Sequence, residues 1–244
     1  MKVVITGASS GIGLALVKEY LNKGHYVIGV DISQISDGLK HKNFSFYKAD
    51  LSKEEDINEL FHLLKANEND IDIFIANAGF AYYERLKTPS WEHIQKIYDL
   101  NVLSPIYSFL KMKELVKDQA FKFVITSSAM GYWPLPGYSL YSSTKAAIAH
   151  FAKAIQFELE KNQSVHSVYP VATKTNFFNE SGQSHSSWFE QSPDHVAKVI
   201  YHGVKKNKKN IYPSKLFRLV HAICPFCLSF YVKREIKKMR EELK

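Results

Sequence analysis

Only two cysteines occur in 244 residues, which excludes a disulfide framework as the source of stability and leaves apolar burial to build the core. No apolar stretch reaches the length of a membrane-spanning helix. The opening run "MKVVITGASSGIG" loses its apolar character at Thr6, too early for a secretory leader. Together these absences give the expectation of a cytoplasmic protein. Histidine is present ten times, but His150, His166, His185, His195 and the others lack metal-ligand spacing, so no metal is expected. Net charge is also missing from most of the chain. Residues 1–204 carry 20 basic and 21 acidic side chains, a balance of −1. That argues against a global field for nucleic acid, and no nucleic-acid partner is expected.

The formal charge of +8 comes from the end of the chain, where residues 205–244 hold 12 Lys or Arg against three Glu. Hydrophobic residues make up 45% of the whole, an ordinary globular balance that suffices for one large α/β domain. Short runs rich in Val, Ile and Phe ("KVVITG", "YVIGVD", "FSFYKAD", "IDIFIANAG", "FKFVITSS", "SVHSVYP", with a short "NIYP") alternate with runs of helical period. The helical runs are "IGLALVKEYLNKG", "SKEEDINELFHLLKA", "WEHIQKIYDLNVLSPIYSFLKMKELVK", "YSSTKAAIAHFAKAIQFELE" and "SPDHVAKVIYHGVKK". Ser52 with Glu55 reads as a capping pair for the second helix, and Pro105 as a bend or a break in the third. Such alternation predicts a doubly wound parallel sheet of six to seven strands, covered by helices on both faces. The long loops 127–138 and 171–192 follow strand ends, where open α/β sheets bind ligands.

"TGASSGIG" sets Gly7, Gly11 and Gly13 between the first strand and the first helix. Glycines there allow a tight turn and close approach of a pyrophosphate to a helix N-terminus. No Lys-Ser/Thr pair follows, so a P-loop is excluded. Asp31 ends the second strand, where a carboxylate can accept from both ribose hydroxyls and repels a 2′-phosphate. No basic residue stands at Ser9, Ser10 or Ile32 to welcome that phosphate, which favours NAD while leaving NADP open.

In "YSLYSSTKAA", Tyr141 precedes Lys145 by four residues, one helical turn. A phenol is inert near neutrality because its pKa is about 10, and a neighbouring cation favours the phenolate. The same spacing also describes a plain tyrosine beside a solvated lysine.

In order along the chain stand the glycine turn at 6–13, Asp50 in "KADL", "NAG" at 77–79, Asn101 in "DLNVLSP", Ser128 13 residues before Tyr141, and "YxxxK". Over about residues 2–204 the sequence resembles the single-domain short-chain dehydrogenase/reductase family. The resemblance implies an NAD(P)-dependent oxidoreductase that interconverts an alcohol and a ketone or aldehyde. Tyr141 would be its acid–base group, Lys145 would lower the tyrosine pKa and hold the nicotinamide ribose, and Ser128 would donate to the substrate oxygen. Asn101 would hold a water on the proton path, or bond helix backbone. It implies a cofactor site from Gly7, Ser9, Ser10, Gly11, Ile12, Gly13, Asp31, Asp50, Leu51, Asn77, Ala78, Gly79, Tyr141, Lys145, Pro170, Val171, Thr173 and Thr175. It also implies a homodimer or homotetramer. Val171 departs from the pattern by standing where the family has glycine; valine resists positive φ, so the turn after the sixth strand must keep an ordinary conformation there. A dinucleotide-binding regulatory or scaffold protein with vestigial activity is the alternative, and the complete Asn101, Ser128, Tyr141 and Lys145 set weighs against it.

Phe80, Tyr82 and Tyr83, then Met130, Tyr132, Trp133 and Leu135, then Phe177, Phe178, Trp188 and Phe189 follow three successive strand ends. Converging on Tyr141, they would line a cleft for a lipophilic small molecule. The polar segment 179–187 reads as a closing flap. Residues 1–213 are therefore expected to form the dinucleotide-binding and catalytic domain, with 214–244 a basic amphipathic extension unlike the family's short ending. Two readings of the extension stay open: it lies on an anionic membrane surface, or it packs over the pocket or a partner subunit. "CPFC" at 224–227 has thiol-pair spacing but no thioredoxin-like context, and reads as two soft apolar residues.

Overall fold

Runs of β-branched and aromatic residues become strands in the computed structural model, and the runs of helical period become helices. The structure describes residues 1–35, 39–67, 70–175, 177 and 190–223. The strands are β1 (Lys2–Thr6), β2 (Tyr26–Asp31), β3 (Phe44–Lys48), β4 (Ile73–Ala76), β5 (Phe121–Thr126), β6 (Gln163–Val168) and β7 (Asn210–Ile211). The helices are α1 (Gly11–Asn22), α2 (Glu54–Asn67), α3 (Trp91–Tyr98), α4 (Ser104–Val116), α5 (Ser139–Ile155), α6 (Pro193–Lys205) and α7 (Lys215–Ile223).

The strands form one sheet in the order β3-β2-β1-β4-β5-β6-β7, and each pairing is parallel. This is the Rossmann-like doubly wound arrangement. Strand order reverses between β1 and β4, which opens a crevice at their carboxyl ends. Alternation along each strand feeds two cores. On one face Val4, Ile28, Phe74 and Phe123 meet Leu60 and Leu64 of α2, Phe109 and Met112 of α4, and Ile148 of α5. On the other, Val3, Ile5, Val27 and Ile75 meet Leu16 and Tyr20 of α1 and Val196 and Ile200 of α6. The edge strand β3 is only half-buried.

Two local expectations change. Ser52 does not cap α2: the helix begins at Glu54 with Ile57 N–H bonded to Lys53 O, one residue too late for Ser52, whose N–H and hydroxyl both donate to Asp50 Oδ1 at 3.1 and 2.7 Å. The long third helical run is divided by a π-helical turn at Asp99–Leu103. Pro105 sits just beyond it in the first turn of α4, and lacking an N–H it cannot bond back to the π turn that precedes it. Among the described residues no helix is long and apolar enough to cross a membrane.

Phe109 is fully buried, with its ring centroid 6.2, 5.3 and 5.8 Å from those of Phe121, Phe123 and Phe151. Truncation there removes a hub that joins α4, β5 and α5. Phe109→Ala is expected to lower unfolding free energy by about 3–5 kcal/mol, read as an earlier midpoint in urea at unchanged slope.

Candidate active site

The turn between β1 and α1 forms the floor of the crevice. Gly11 has φ +52°, and a Cβ there would come within 3.0 Å of Thr175 Cγ2. A Cβ on Gly13 would lie 1.8 Å from the carbonyl oxygen of Gly7. Only glycine lets α1 begin this close to the turn, so its unpaired N–H groups converge on one spot. Ser10 occupies the N-cap position without a side-chain capping bond. A surface cleft of about 310 Å³ flanks the turn, lined by Ser10, Gly11, Lys18, Lys174 and Thr175 among others. The geometry suits a pyrophosphate: a glycine cradle, helix N–H groups and two lysines nearby.

Asp31, at the end of β2, already meets the turn. Its Oδ2 accepts from the N–H and the hydroxyl of Ser9 at 2.9 and 2.7 Å, and its Oδ1 accepts from the Ser33 N–H at 3.0 Å. Asp50 instead turns its carboxylate toward Ser52, with Lys53 Nζ at 3.8 Å, and Leu51 is buried in the core. Asn77 stitches strand ends together. Its N–H and that of Ala78 donate to Thr6 Oγ1 at 2.9 and 3.0 Å, and its Nδ2 donates to Thr6 O at 3.1 Å.

Tyr141 and Lys145 lie one turn apart on the inner side of α5, both buried. Lys145 Nζ is 5.6 Å from the centre of the Tyr141 ring and donates to Thr126 O, the last residue of β5, at 2.9 Å. Ser128 follows β5 and stands near enough to the Tyr141 hydroxyl to draw the phenol pKa down, while its Oγ accepts from the Met130 N–H at 3.1 Å. Asn101 sits in the π turn, and its amide clamps Phe80: Oδ1 accepts from the Phe80 N–H at 3.0 Å, and Nδ2 donates to Phe80 O at 2.8 Å. Nδ2 also reaches Thr144 Oγ1 at 3.1 Å. Ser127, the neighbour of Ser128, faces away and donates to Lys145 O at 2.8 Å.

The electrostatics run opposite to a simple reading of "YxxxK". Burial pushes the Tyr141 phenol above its ordinary range, opposed by the neighbouring Ser128 hydroxyl. Burial pulls the Lys145 ammonium from its ordinary 10.5 down to about 8. Each group is driven toward its neutral form because desolvation penalises both charges. Among the protein's own groups, Ser128 is the one that favours the phenolate.

Six of the expected aromatic and apolar side chains gather around Tyr141: Phe80, Tyr82, Tyr83, Met130, Leu135 and Phe177. The Phe177 ring lies 5.6 Å from that of Tyr141. Tyr132 and Trp133 do not join them; they pack with Phe217 of α7 behind the loop. Val171 avoids positive φ, as its β-branched side chain requires. Its carbonyl accepts from Thr173 Oγ1 at 3.0 Å, and Pro170 O accepts from the Ala129 N–H at 2.8 Å. Phe178, Trp188, Phe189, the 179–187 segment and the "CPFC" pair lie outside the described residues.

Two positioning residues were absent from the sequence reading. Thr144 donates from Oγ1 to Tyr141 O at 2.8 Å while accepting from Asn101, and so couples α5 to the π turn. Tyr138 lies 6.2 Å from Tyr141, ring centre to ring centre. Thr144 had a signal, being a polar residue beside Lys145 on the core-facing side of the helix.

The short chain dehydrogenase family model matches residues 1–186. An uncharacterised oxidoreductase of Bacillus subtilis is 28% identical over 214 residues, 82% of this chain, and the chain spans only 58% of that relative's length. A short-chain dehydrogenase from Sphingobium yanoikuyae in complex with NADPH has the same fold, with TM-score 0.79 and 24% identity over 88% of each chain. A 4-hydroxyisoleucine dehydrogenase mutant complexed with NADH and succinate is similar at TM-score 0.77 and 26% identity, over 87% of this chain and 96% of that one.

Burial of Lys145 has a sign that stability measurements read. Its folded pKa of about 8 lies below the ordinary 10.5. Between those values the unfolded chain holds a proton that the folded chain has lost, so stability rises with pH across that window. Below about pH 8 the full penalty applies, with a ceiling of about 3 kcal/mol. Lys145→Met, which forfeits the bond to Thr126 O, is expected to be more stable than wild type by about 1–2 kcal/mol at neutral pH. That advantage should shrink as pH rises past the window, as measured by denaturant titration at several pH values.

Proposed function

Because the chain belongs to the short-chain dehydrogenase family, we propose that it is an NAD(P)-dependent oxidoreductase interconverting a lipophilic alcohol and its ketone or aldehyde. The observation that carries this reading is the buried pair on α5, Tyr141 and Lys145 one turn apart with the Lys145 Nζ 5.6 Å from the centre of the phenol ring, beside Ser128 at the end of β5. The dinucleotide supplies the hydride when bound. Its pyrophosphate would lie over Gly7–Gly13, with Ser9, Ser10 and Ile12 beside it. Asp31 would take the adenosine ribose, while Asp50 and Leu51 back the adenine end and Asn77–Gly79 the middle. Pro170, Val171, Thr173 and Thr175 would face the nicotinamide end.

In reduction, the Tyr141 hydroxyl gives its proton to the carbonyl oxygen, and the Ser128 hydroxyl donates a hydrogen bond to the same oxygen as charge develops there. In oxidation the transfers reverse. A raised phenol pKa keeps Tyr141 protonated at neutral pH, the form a proton donor needs. Lys145, charged below about pH 8, spends one N–H on Thr126 O and has two further N–H groups for the nicotinamide ribose. Asn101 acts by position: its amide is spent on Phe80 and Thr144, which holds α5 against the loop after β4. The apolar side chains around Tyr141 exclude water and favour a lipophilic substrate.

Similar structures hold NADPH in one case and NADH in another, so cofactor preference rests on Asp31. A 2′-phosphate would bring its charge against a carboxylate fixed by Ser9 and Ser33. We therefore assign NAD as the preferred cofactor.

Tyr141→Phe is expected to lower kcat by about 10²–10⁴-fold with NADH affinity within about twofold of wild type, read by NADH fluorescence. Turnover near wild type on a verified substrate would remove the acid–base role. The kcat/KM ratio of NADH to NADPH should exceed about tenfold and reverse toward NADPH in Asp31→Ser. A wild-type preference for NADPH would sink the assignment.

A further inference from the structure

Helix α7 is apolar on two sides, and among the described residues only the inner one is packed. On the inner side Phe217 is buried against Trp133 at 5.1 Å and Tyr212 at 6.1 Å, ring centre to ring centre. His221 lies over Tyr132 at 4.1 Å. The outer side carries Leu216, Leu219 and Ile223, which are 54%, 56% and 71% exposed. Their spacing of three and then four residues places them in one stripe. Lys215 and Arg218, both exposed, stand next to it.

Three partners of different chemistry could cover such a stripe. Nucleic acid would use the cations, but phosphates gain nothing from three aliphatic side chains. A second copy of the chain would bring one strongly basic end against another, and a nine-residue helix offers little of the area a stable dimer buries. An anionic bilayer satisfies both features, because interfacial helices combine exposed aliphatic residues with Lys and Arg at headgroup level. The charge distribution matches: residues 205–244 carry +9 and the rest of the chain −1. After Ile223 the sequence runs on as apolar "CPFCLSFYV", then basic "KREIKKMREELK".

We propose that α7 is a docking surface for anionic lipid bilayers, with Leu216, Leu219 and Ile223 entering the interface and Lys215 and Arg218 meeting the headgroups. Its inner side rests on Tyr132 and Trp133, a few residues after Ser128, so docking turns the Ser128 end of the sheet toward the lipid.

The test is co-sedimentation of the full chain with phosphatidylcholine vesicles, with and without about a third phosphatidylserine. The expected result is at least about tenfold stronger partition into the anionic vesicles at about 0.1 M salt, largely lost at about 0.5 M. Leu219→Asp with Ile223→Asp should weaken partition at least about tenfold. Lys215→Glu with Arg218→Glu should do the same for anionic vesicles. NADH binding and the thermal midpoint should be unchanged in both variants, since all four side chains are exposed. Equal partition into both vesicle types, no partition, or undiminished partition of the aspartate variant would each overturn the proposal. So would binding to RNA or concentration-dependent dimerisation in place of partition.

Discussion

The bond from Lys145 Nζ to the carbonyl of Thr126 ties the middle of α5 to the carboxyl end of β5. Much of the site depends on it. It fixes the rotation of α5 about its axis, and that rotation aims Tyr141 at the crevice. Thr126 is followed directly by Ser127, which returns a hydrogen bond to the Lys145 carbonyl, and then by Ser128, which meets the phenol. A closed circuit therefore links one strand end to one helix turn. Buried and water-poor, it holds position well, and it also penalises both ionised forms. The protein keeps a charge-bearing group where charge is unwelcome, an arrangement found where chemistry outranks stability.

The π turn does similar work from the other side. Insertion of Asp99–Leu103 between α3 and α4 aims Asn101 at the backbone of Phe80, not along a regular helix face. Thr144 then joins that turn to Tyr141. The loop after β4, which carries Phe80, Tyr82 and Tyr83 to the cleft, is thus referenced to the same helix as the reacting hydroxyl. At the opposite rim α7 braces Tyr132 and Trp133, so the loop after β5 is held from outside as well as within.

The sheet and its two faces were legible because hydrophobic period is a local property. Val3 and Val4 point to opposite cores by alternation alone, and helices declared themselves over ten or more residues. The family was legible from the order of the glycine turn, Asp50, Asn77–Gly79, Asn101, Ser128, Tyr141 and Lys145 along the chain, and the family match covers residues 1–186. The placement of Tyr132 and Trp133 was not. They share a loop and a composition with Met130 and Leu135 but serve a different cluster, set by Tyr169 against Tyr132 and by Phe217 against Trp133, both far along the chain.

By itself the sequence determined what each segment can be: which runs extend, which coil, where glycine is needed, and where the charge gathers. Those are short-range consequences of side-chain shape and period. Tertiary structure alone decided the ionisation of Tyr141 and Lys145, the use of Asn101 as a clamp, and which side of α7 packs against Tyr132 and Trp133. Each depends on distance and desolvation between residues far apart in the chain, and such quantities exist only once the chain has folded around them.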